Sequence, residues 1–267
     1  MTVRLIGLPQ DNNSTYLTGP ATAPQRVREA IWCDSANMFT EMGHDLGDGG
    51  LWRDCGDVAL SGLSGEAAFN AIKSEVAAQI ADGGKVISIG GDHSVAYPAI
   101  LAHAEAYEGL NILHIDAHPD LYDDMESNHY SHASPFARLM ESGRITRLVQ
   151  VGIRTLNAHQ REQAERFGVE IHHMRDLSGV PNIAFDGPVY LSFDLDALDP
   201  AFAPGVSHFE PGGLSTRDVL TIIQNFSGKL VGADVVELNP HRDPYGMTAM
   251  VAAKIAKELI GRLVDDW

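Results

Sequence analysis

Ile112-Leu113-His114-Ile115-Asp116-Ala117-His118-Pro119-Asp120 is an apolar, β-branched run that breaks into three side chains of the metal-binding type. Such a run reads as a strand buried on both faces, the pattern of a parallel sheet covered by helices. In an extended segment alternate side chains point the same way, so Asp116, His118 and Asp120 are expected to converge, and Pro119 holds His118 toward extended angles. The same design recurs where 86–89 leads into Gly90-Gly91-Asp92-His93-Ser94, and where 189–193 leads into Asp194-Leu195-Asp196. In open α/β sheets, sites form beyond the carboxyl ends of the strands. His93, Asp116, His118, Asp120, Asp194 and Asp196 all fall there, so residues far apart in the chain are expected to meet at one sheet edge.

Strand-like runs also occur at 3–8, 148–153 and 230–236, with helical stretches in several of the intervals. After Ser64, the residues Phe69, Ile72, Val76 and Ile80 share one helix face up to the terminator Gly83-Gly84. A second helix is expected after Ser94, with Pro98 tolerated in its first turn. A third, 215–226, opens with Ser215 and Asp218 in near capping-box spacing, and an Ala-, Lys- and Leu-rich helix covers 247–264. Alternating strands and helices imply βαβ crossovers and an α/β fold. No linker, repeat or low-complexity tract divides the 267 residues, so a single domain over 1–267 is expected. The loops 203–213 and 239–246 follow strand ends and are placed to line a site.

With 36 acidic against 19 basic residues the formal charge is −17, which argues against nucleic acid, whose phosphates demand clustered Lys and Arg. A cationic small molecule is drawn in instead, although most of these carboxylates simply keep the surface soluble. Hydrophobic residues make up 44% of the chain, enough for a sizeable core. Cys33 and Cys55 suggest neither a zinc knot nor a disulfide framework. The first residues lack the apolar core of a signal peptide, and no apolar run has membrane length. These features lead to an expected cytoplasmic location with no membrane partner.

Four carboxylates and two imidazoles without a thiolate form an oxygen-rich set that suits Mn²⁺ better than a structural zinc site. The set suffices for two ions, and Asp116 and Asp194, each leading its group, are expected to bridge them. Two ions roughly 3.5 to 4 Å apart acidify a shared water. Against this, a lone Asp-x-Asp is more often a turn, and a lone histidine more often a hydrogen-bonded core residue. That blander reading is kept for His44, His103, His159, His172 and His173, and packing is expected of the mid-strand His114. Asp92, Asp199 and Asp234 read as turn or supporting residues, and Asp234, inside an apolar strand, is expected to hold a partner such as a ligand histidine. Gly90-Gly91 lacks the rest of a phosphate-loop pattern, so nucleotide binding is not expected.

Gly-Gly-Asp-His-Ser, Asp-Ala-His-Pro-Asp and Ser-Phe-Asp-Leu-Asp-Ala-Leu-Asp-Pro, in this order and with Asp234-Val235-Val236-Glu237-Leu238-Asn239-Pro240, resemble the ureohydrolase family of arginases, agmatinases and related guanidino hydrolases. Asp116-Ala117-His118-Pro119-Asp120-Leu121-Tyr122-Asp123, Tyr130-Ser131-His132-Ala133-Ser134, Pro204-Gly205-Val206-Ser207-His208 and Gly246-Met247-Thr248-Ala249-Met250-Val251 look like the plant-type arginases in particular. The resemblance implies the three-layer arginase-like fold, assembly as a homotrimer or homohexamer, and two Mn²⁺ ions per chain. His93, Asp116, Asp120 and Asp194 would hold one ion, and Asp116, His118, Asp194 and Asp196 the other. The implied reaction releases urea from a guanidino group, with L-arginine ranked first, agmatine second and 4-guanidinobutyrate third.

A guanidinium spreads its charge over three nitrogens and resists plain water, and its leaving amine must be protonated. His132 follows the second ligand group on a loop and matches the family's proton-shuttling histidine. Glu237, delivered to the same edge by an apolar strand, is placed to accept paired N–H donors from the guanidinium. Matching positions put Asn128, Asn157 and His208 in the outer pocket, a rim that suits an α-carboxylate; animal arginases carry Asp in place of Asn157 and Thr in place of His208. A single-zinc, deacetylase-like hydrolase shares the implied fold but would need fewer acidic ligands.

Overall fold

The computed structural model describes residues 2–266, so the end residues 1 and 267 of the expected domain lie outside the described residues. In chain order the elements are β1 (Val3–Leu8), α1 (Ala23–Ile31), β2 (Trp52–Asp57), α2 (Gly65–Ala81), β3 (Lys85–Gly90), α3 (Ala96–Ala106), β4 (Leu110–Ile115) and α4 (Pro135–Glu141). They continue with β5 (Ile145–Ile153), α5 (Ala158–Phe167), β6 (Glu170–His173), β7 (Ala184–Asp194), α6 (Thr216–Asn225), β8 (Ser227–Val236) and α7 (Met247–Asp265). The strands form one eight-stranded sheet in the order β2-β1-β3-β8-β7-β4-β5-β6. Each pairing is parallel, as the apolar runs require.

Helices cover both faces. On one, Leu113, Ile115, Phe193 and Val235 pack against Val27 and Ile31 of α1, Val219 of α6 and Ile255 and Leu259 of α7. On the other, Ile112 and Tyr190 pack against Ile100 of α3, Phe136 of α4 and Ala164 of α5, while Ile6 and Val86 meet Ile72 and Val76 of α2. The expected capping box is complete: Ser215 accepts from the N–H of Asp218, and the Asp218 carboxylate accepts from the N–H of Ser215. No helix among the described residues is long and apolar enough to cross a membrane.

Two strands had no counterpart in the apolar runs. β2 (Trp-Arg-Asp-Cys-Gly-Asp) and β6 (Glu-Ile-His-His) are the sheet's edges, half exposed and largely polar. An edge strand pairs on one side only, and polar side chains there discourage pairing with further strands.

Parallel register also lines up a row of polar residues. Ser88 stands opposite Asp234, Asp234 opposite Ser192, Ser192 opposite His114, and His114 opposite Gln150, across β3, β8, β7, β4 and β5. Every member is completely buried. Just beyond the row, Gly91 is required for close approach: a Cβ there would lie 1.8 Å from the Gln10 carbonyl oxygen. Gly91 therefore lets the segment after β1 press against the end of β3.

Candidate metal centre

Turns gather the proposed ligands, correcting the expectation that strand alternation alone would do so. Asp194 is the last residue of β7, and its Oδ1 accepts from the Asp196 N–H at 2.7 Å, which folds Leu195–Ala197 into a 3-10 turn. Asp116 lies just past β4 and accepts from the His118 N–H at 2.6 Å, while Asp120 adopts a left-handed φ of 48°. His93 opens a short turn after β3 whose cap is Asp92, the carboxylate acceptor of Ser94 N–H. The carboxylate ends of β3, β4 and β7 thereby present six side chains to one point.

His93 Nδ1 lies 3.1 Å from Asp116 Oδ2, 3.1 Å from Asp120 Oδ2 and 3.2 Å from Asp194 Oδ2. Although buried, this nitrogen makes no hydrogen bond. His118 Nδ1 lies 3.0 Å from Asp196 Oδ2 and 3.5 Å from Asp116 Oδ1. Burial pushes the Asp194 carboxyl well above its usual range, and the charges of Asp196 and Asp116 push the same way. Asp196 is raised to about 6, again chiefly by burial, with His118 opposing. Buried carboxylates crowded in this way carry more negative charge than their protein neighbours offset. An orphaned imidazole nitrogen facing that charge fits a divalent cation, and two His/Asp groups sharing Asp116 have metal-binding spacing.

Beside this cluster, Glu237 ends the β8 segment at a left-handed φ of 66°, a conformation that costs energy and is characteristic of functional positions. Its Oε1 accepts from the His93 backbone N–H at 2.9 Å and lies 2.8 Å from His132 Nδ1. His132 Nδ1 carries a proton that points at the Glu237 carboxylate, and Thr15 Oγ1 lies 2.9 Å from Nε2, placed to accept the ring's second proton. Burial disfavours the His132 cation, but the Glu237 hydrogen bond and charge, with Asp92 and Asp120, outweigh it and raise the imidazole to about 9.

A cavity of about 280 Å³ opens over these groups, with His118, Asp120, Asp194, Asp196, His132, Glu237 and His208 in its wall. Asn128 and Asn157 are not in that wall. Asn128 donates to Asn13 at 3.1 Å, and Asn157 caps α5 while donating to the Tyr122 hydroxyl at 2.6 Å. The 203–213 loop supplies His208 and Glu210 to the cavity; the 239–246 loop supplies nothing to it and instead steadies the first loop through Asn239, which donates to Ser207 Oγ. Arg154 also holds the cavity floor, its guanidinium donating to the carbonyl oxygens of Gly152, Asp196, Ala197, Leu198 and Glu210.

Several supporting residues were misread or missed in the sequence. Asp199 is a turn residue, accepting from Ala201 and Gly212 N–H groups, as expected. Asp234 reaches His93 only through Ser192: Ser192 Oγ donates to Asp234 at 2.7 Å and lies 3.0 Å from His93 Nε2. His114 does more than pack, because its Nε2 lies 2.7 Å from Asp116 Oδ2. Its position two before Asp116 on a strand was the available signal, since such residues share a face. Of the histidines expected in the core, His103 alone is completely buried, whereas His44, His159 and His172 pair with Asp265, Asp123 and Glu170 nearer the surface and His173 is half-buried. Thr15, Gln160 and Glu210 line the cavity from loops and a helix start, with no motif to announce them.

The Arginase family model matches residues 1–261. The chain belongs to the Arginase family. Within that family it is 50% identical over 274 residues to "Arginase 1, mitochondrial" of Arabidopsis thaliana, spanning 97% of this chain and 80% of that protein. It is 34% identical to an agmatinase of Chromobacterium violaceum, over 97% of this chain and 82% of that one. The solved arginase of Medicago truncatula superposes with a TM-score of 0.94 at 47% identity, covering 98% of this chain and 87% of that structure. This member of the Arginase family is accordingly an enzyme, a ureohydrolase, with the three-layer fold that its motifs imply. The expected cytoplasmic location is overturned: the plant relatives carry mitochondrial or chloroplastic designations in their names.

Proposed function

We propose that this ureohydrolase is an arginase, converting L-arginine and water to L-ornithine and urea over two Mn²⁺ ions. The observation that carries this reading is the cavity itself, which sets the His132–Glu237 pair beside two histidines and four carboxylates that together fit two cations. His93, Asp116, Asp120 and Asp194 would hold one ion and Asp116, His118, Asp194 and Asp196 the other. When bound, the ions supply the Lewis acidity that lowers the pKa of a water.

The chain's own residues do the rest. Both bonds to Glu237 fall on Oε1, which leaves Oε2 for the N–H edge of the substrate's guanidinium and so orients its carbon over the metal floor. His132, held as a cation by Glu237, carries the proton that the leaving amine requires. Burial holds the His208 imidazole below its ordinary pKa, so at neutral pH it offers the rim an uncharged N–H donor suited to a carboxylate. Asn157 and Asn128 stand behind that rim. The plant arginases at about half identity support arginine over agmatine. We further propose one domain over 1–267 and a homotrimer or homohexamer, to be read from solution mass by light scattering.

The test is a comparison of urea release from L-arginine, agmatine and 4-guanidinobutyrate by Mn²⁺-loaded protein. The highest kcat/KM on L-arginine is expected. Preference for agmatine would reassign the substrate, and no urea from any of the three would overturn the reaction.

A further inference from the structure

The buried row across the sheet has hydrogen bonds whose directions follow from its fixed donors and acceptors. At one end, Gln150 Nε2 lies 2.7 Å from the Pro119 carbonyl oxygen, which can only accept, so the amide nitrogen must face it. The same nitrogen lies 3.0 Å from His114 Nδ1, which is thereby the acceptor. The His114 proton then sits on Nε2, 2.7 Å from Asp116 Oδ2. His114 lies within metal-binding distance of His93 and Asp116, yet with that nitrogen protonated it has no lone pair to give; it is a donor to Asp116. At the other end, Ser192 has one proton and gives it to Asp234 at 2.7 Å. Its oxygen therefore accepts from His93 Nε2 at 3.0 Å, and Nδ1 is the His93 nitrogen left facing Asp116, Asp120 and Asp194.

We propose that Gln150, His114, Ser192 and Asp234 are positioning residues that preset the metal centre, by fixing Nδ1 as the His93 nitrogen that faces the site and one orientation of Asp116 before any ion arrives. The proposal rests on the metal reading above. Register places the four at one level of four adjacent strands, and Phe136 of α4 stacks on His114 at 3.8 Å between ring centroids, so neither ring has room to turn. Gln150 also ties the carbonyl of Pro119, so one amide sets the angle of the 116–120 turn as well as the His114 proton. Outer partners of this kind are worth about 10- to 100-fold in metal affinity.

Two measurements test it. In metal-free protein labelled with ¹⁵N-histidine, ring-nitrogen shifts should report Nε2 of both His93 and His114 as protonated; an unprotonated Nε2 on either ring overturns the assignment. Equilibrium dialysis against Mn²⁺ should then show roughly 10- to 100-fold weaker binding for Ser192→Ala and for Gln150→Leu, with recovery in Ser192→Thr, which keeps the hydroxyl. Wild-type affinity in both weakened variants would remove the row from metal binding. A loss in Ser192→Ala that Ser192→Thr does not recover would mark a packing defect instead, and also count against the proposal. If Ser192→Ala does not fold, Gln150→Leu and the ring-nitrogen measurement decide. Absence of Mn²⁺ uptake by the unaltered protein would sink the metal reading itself, a failure distinct from unaltered protein that binds Mn²⁺ but has an unprotonated Nε2 on either ring.

Discussion

The floor and the rim of the cavity are built by different means. His93 and Asp116 beneath the cavity, with Asp234 behind them, stand at or near strand ends, are at most 1% exposed, and owe their positions to sheet register. Rim residues Glu210 and His208 sit on the 203–213 loop, partly exposed, and owe theirs to a few side-chain bonds, such as those of Arg154 to the Glu210 carbonyl oxygen and of Asn239 to Ser207. A floor made from register changes little without unfolding the sheet, whereas a rim made from loops can change chemistry alone. Reaction class should therefore depend on the first and substrate choice on the second.

That contrast is open to attack in order of expected effect. His132→Ala, at the floor's edge, should lower kcat by about 10²- to 10⁴-fold with Mn²⁺ content unchanged, by steady-state kinetics and metal analysis. Loss of metal along with turnover would merge the proton carrier with the floor. Gly91→Ala forces a Cβ to within 1.8 Å of the Gln10 carbonyl oxygen and should cost about 3 kcal/mol or more in urea unfolding. A near-neutral result would show the strand ends to be more pliant than register implies.

A pH effect tests the packing of α3 on the sheet. Burial holds the His103 imidazole down to about 4, against an ordinary 6.5, with its Nδ1 bonded to the Ala99 carbonyl oxygen. The unfolded chain takes up this proton below 6.5 and the folded chain only near 4, so stability should fall as pH drops through that interval. The full effect is roughly 3 kcal/mol, measured as the difference in pH slope between metal-free wild type and His103→Gln. Equal slopes would remove His103 as the cause.

Smaller effects belong to the periphery. Asn157→Ala should cost about 1 kcal/mol through the lost cap of α5 and raise KM more than it lowers kcat. An unchanged KM would leave Asn157 as a helix cap without influence on the rim. The Arg217–Glu41 pair, which with Gln224 holds Glu41 at about 2, is largely solvent-exposed. Arg217→Ala should therefore change stability by less than about 1 kcal/mol at neutral pH, and a larger loss would assign this surface a structural role.

The same division governs what could be read before the fold was seen. The runs 86–89, 112–115, 189–193 and 230–236 were legible because central parallel strands must be apolar on both faces, and each pointed at its cluster of acids and histidines. β2 and β6 were not, since a strand open to water on one side can carry Arg53, Asp54 and Glu170 without penalty. His114 was read as packing because its partners, Gln150 and Asp116, become neighbours only through strand register and a turn. Thr15 and Glu210 were invisible for a related reason: a loop residue reaches the cavity by the path of its backbone, which leaves no periodicity to detect.

Arg154 grips its neighbours entirely by main-chain oxygens, from Gly152 to Glu210. Every amino acid presents that same oxygen. Glu210, the rim residue it clasps, can thus exchange its side chain without loosening the clasp, so new guanidino compounds can be accommodated by substitution there while the hydrolytic apparatus beneath stays as it is.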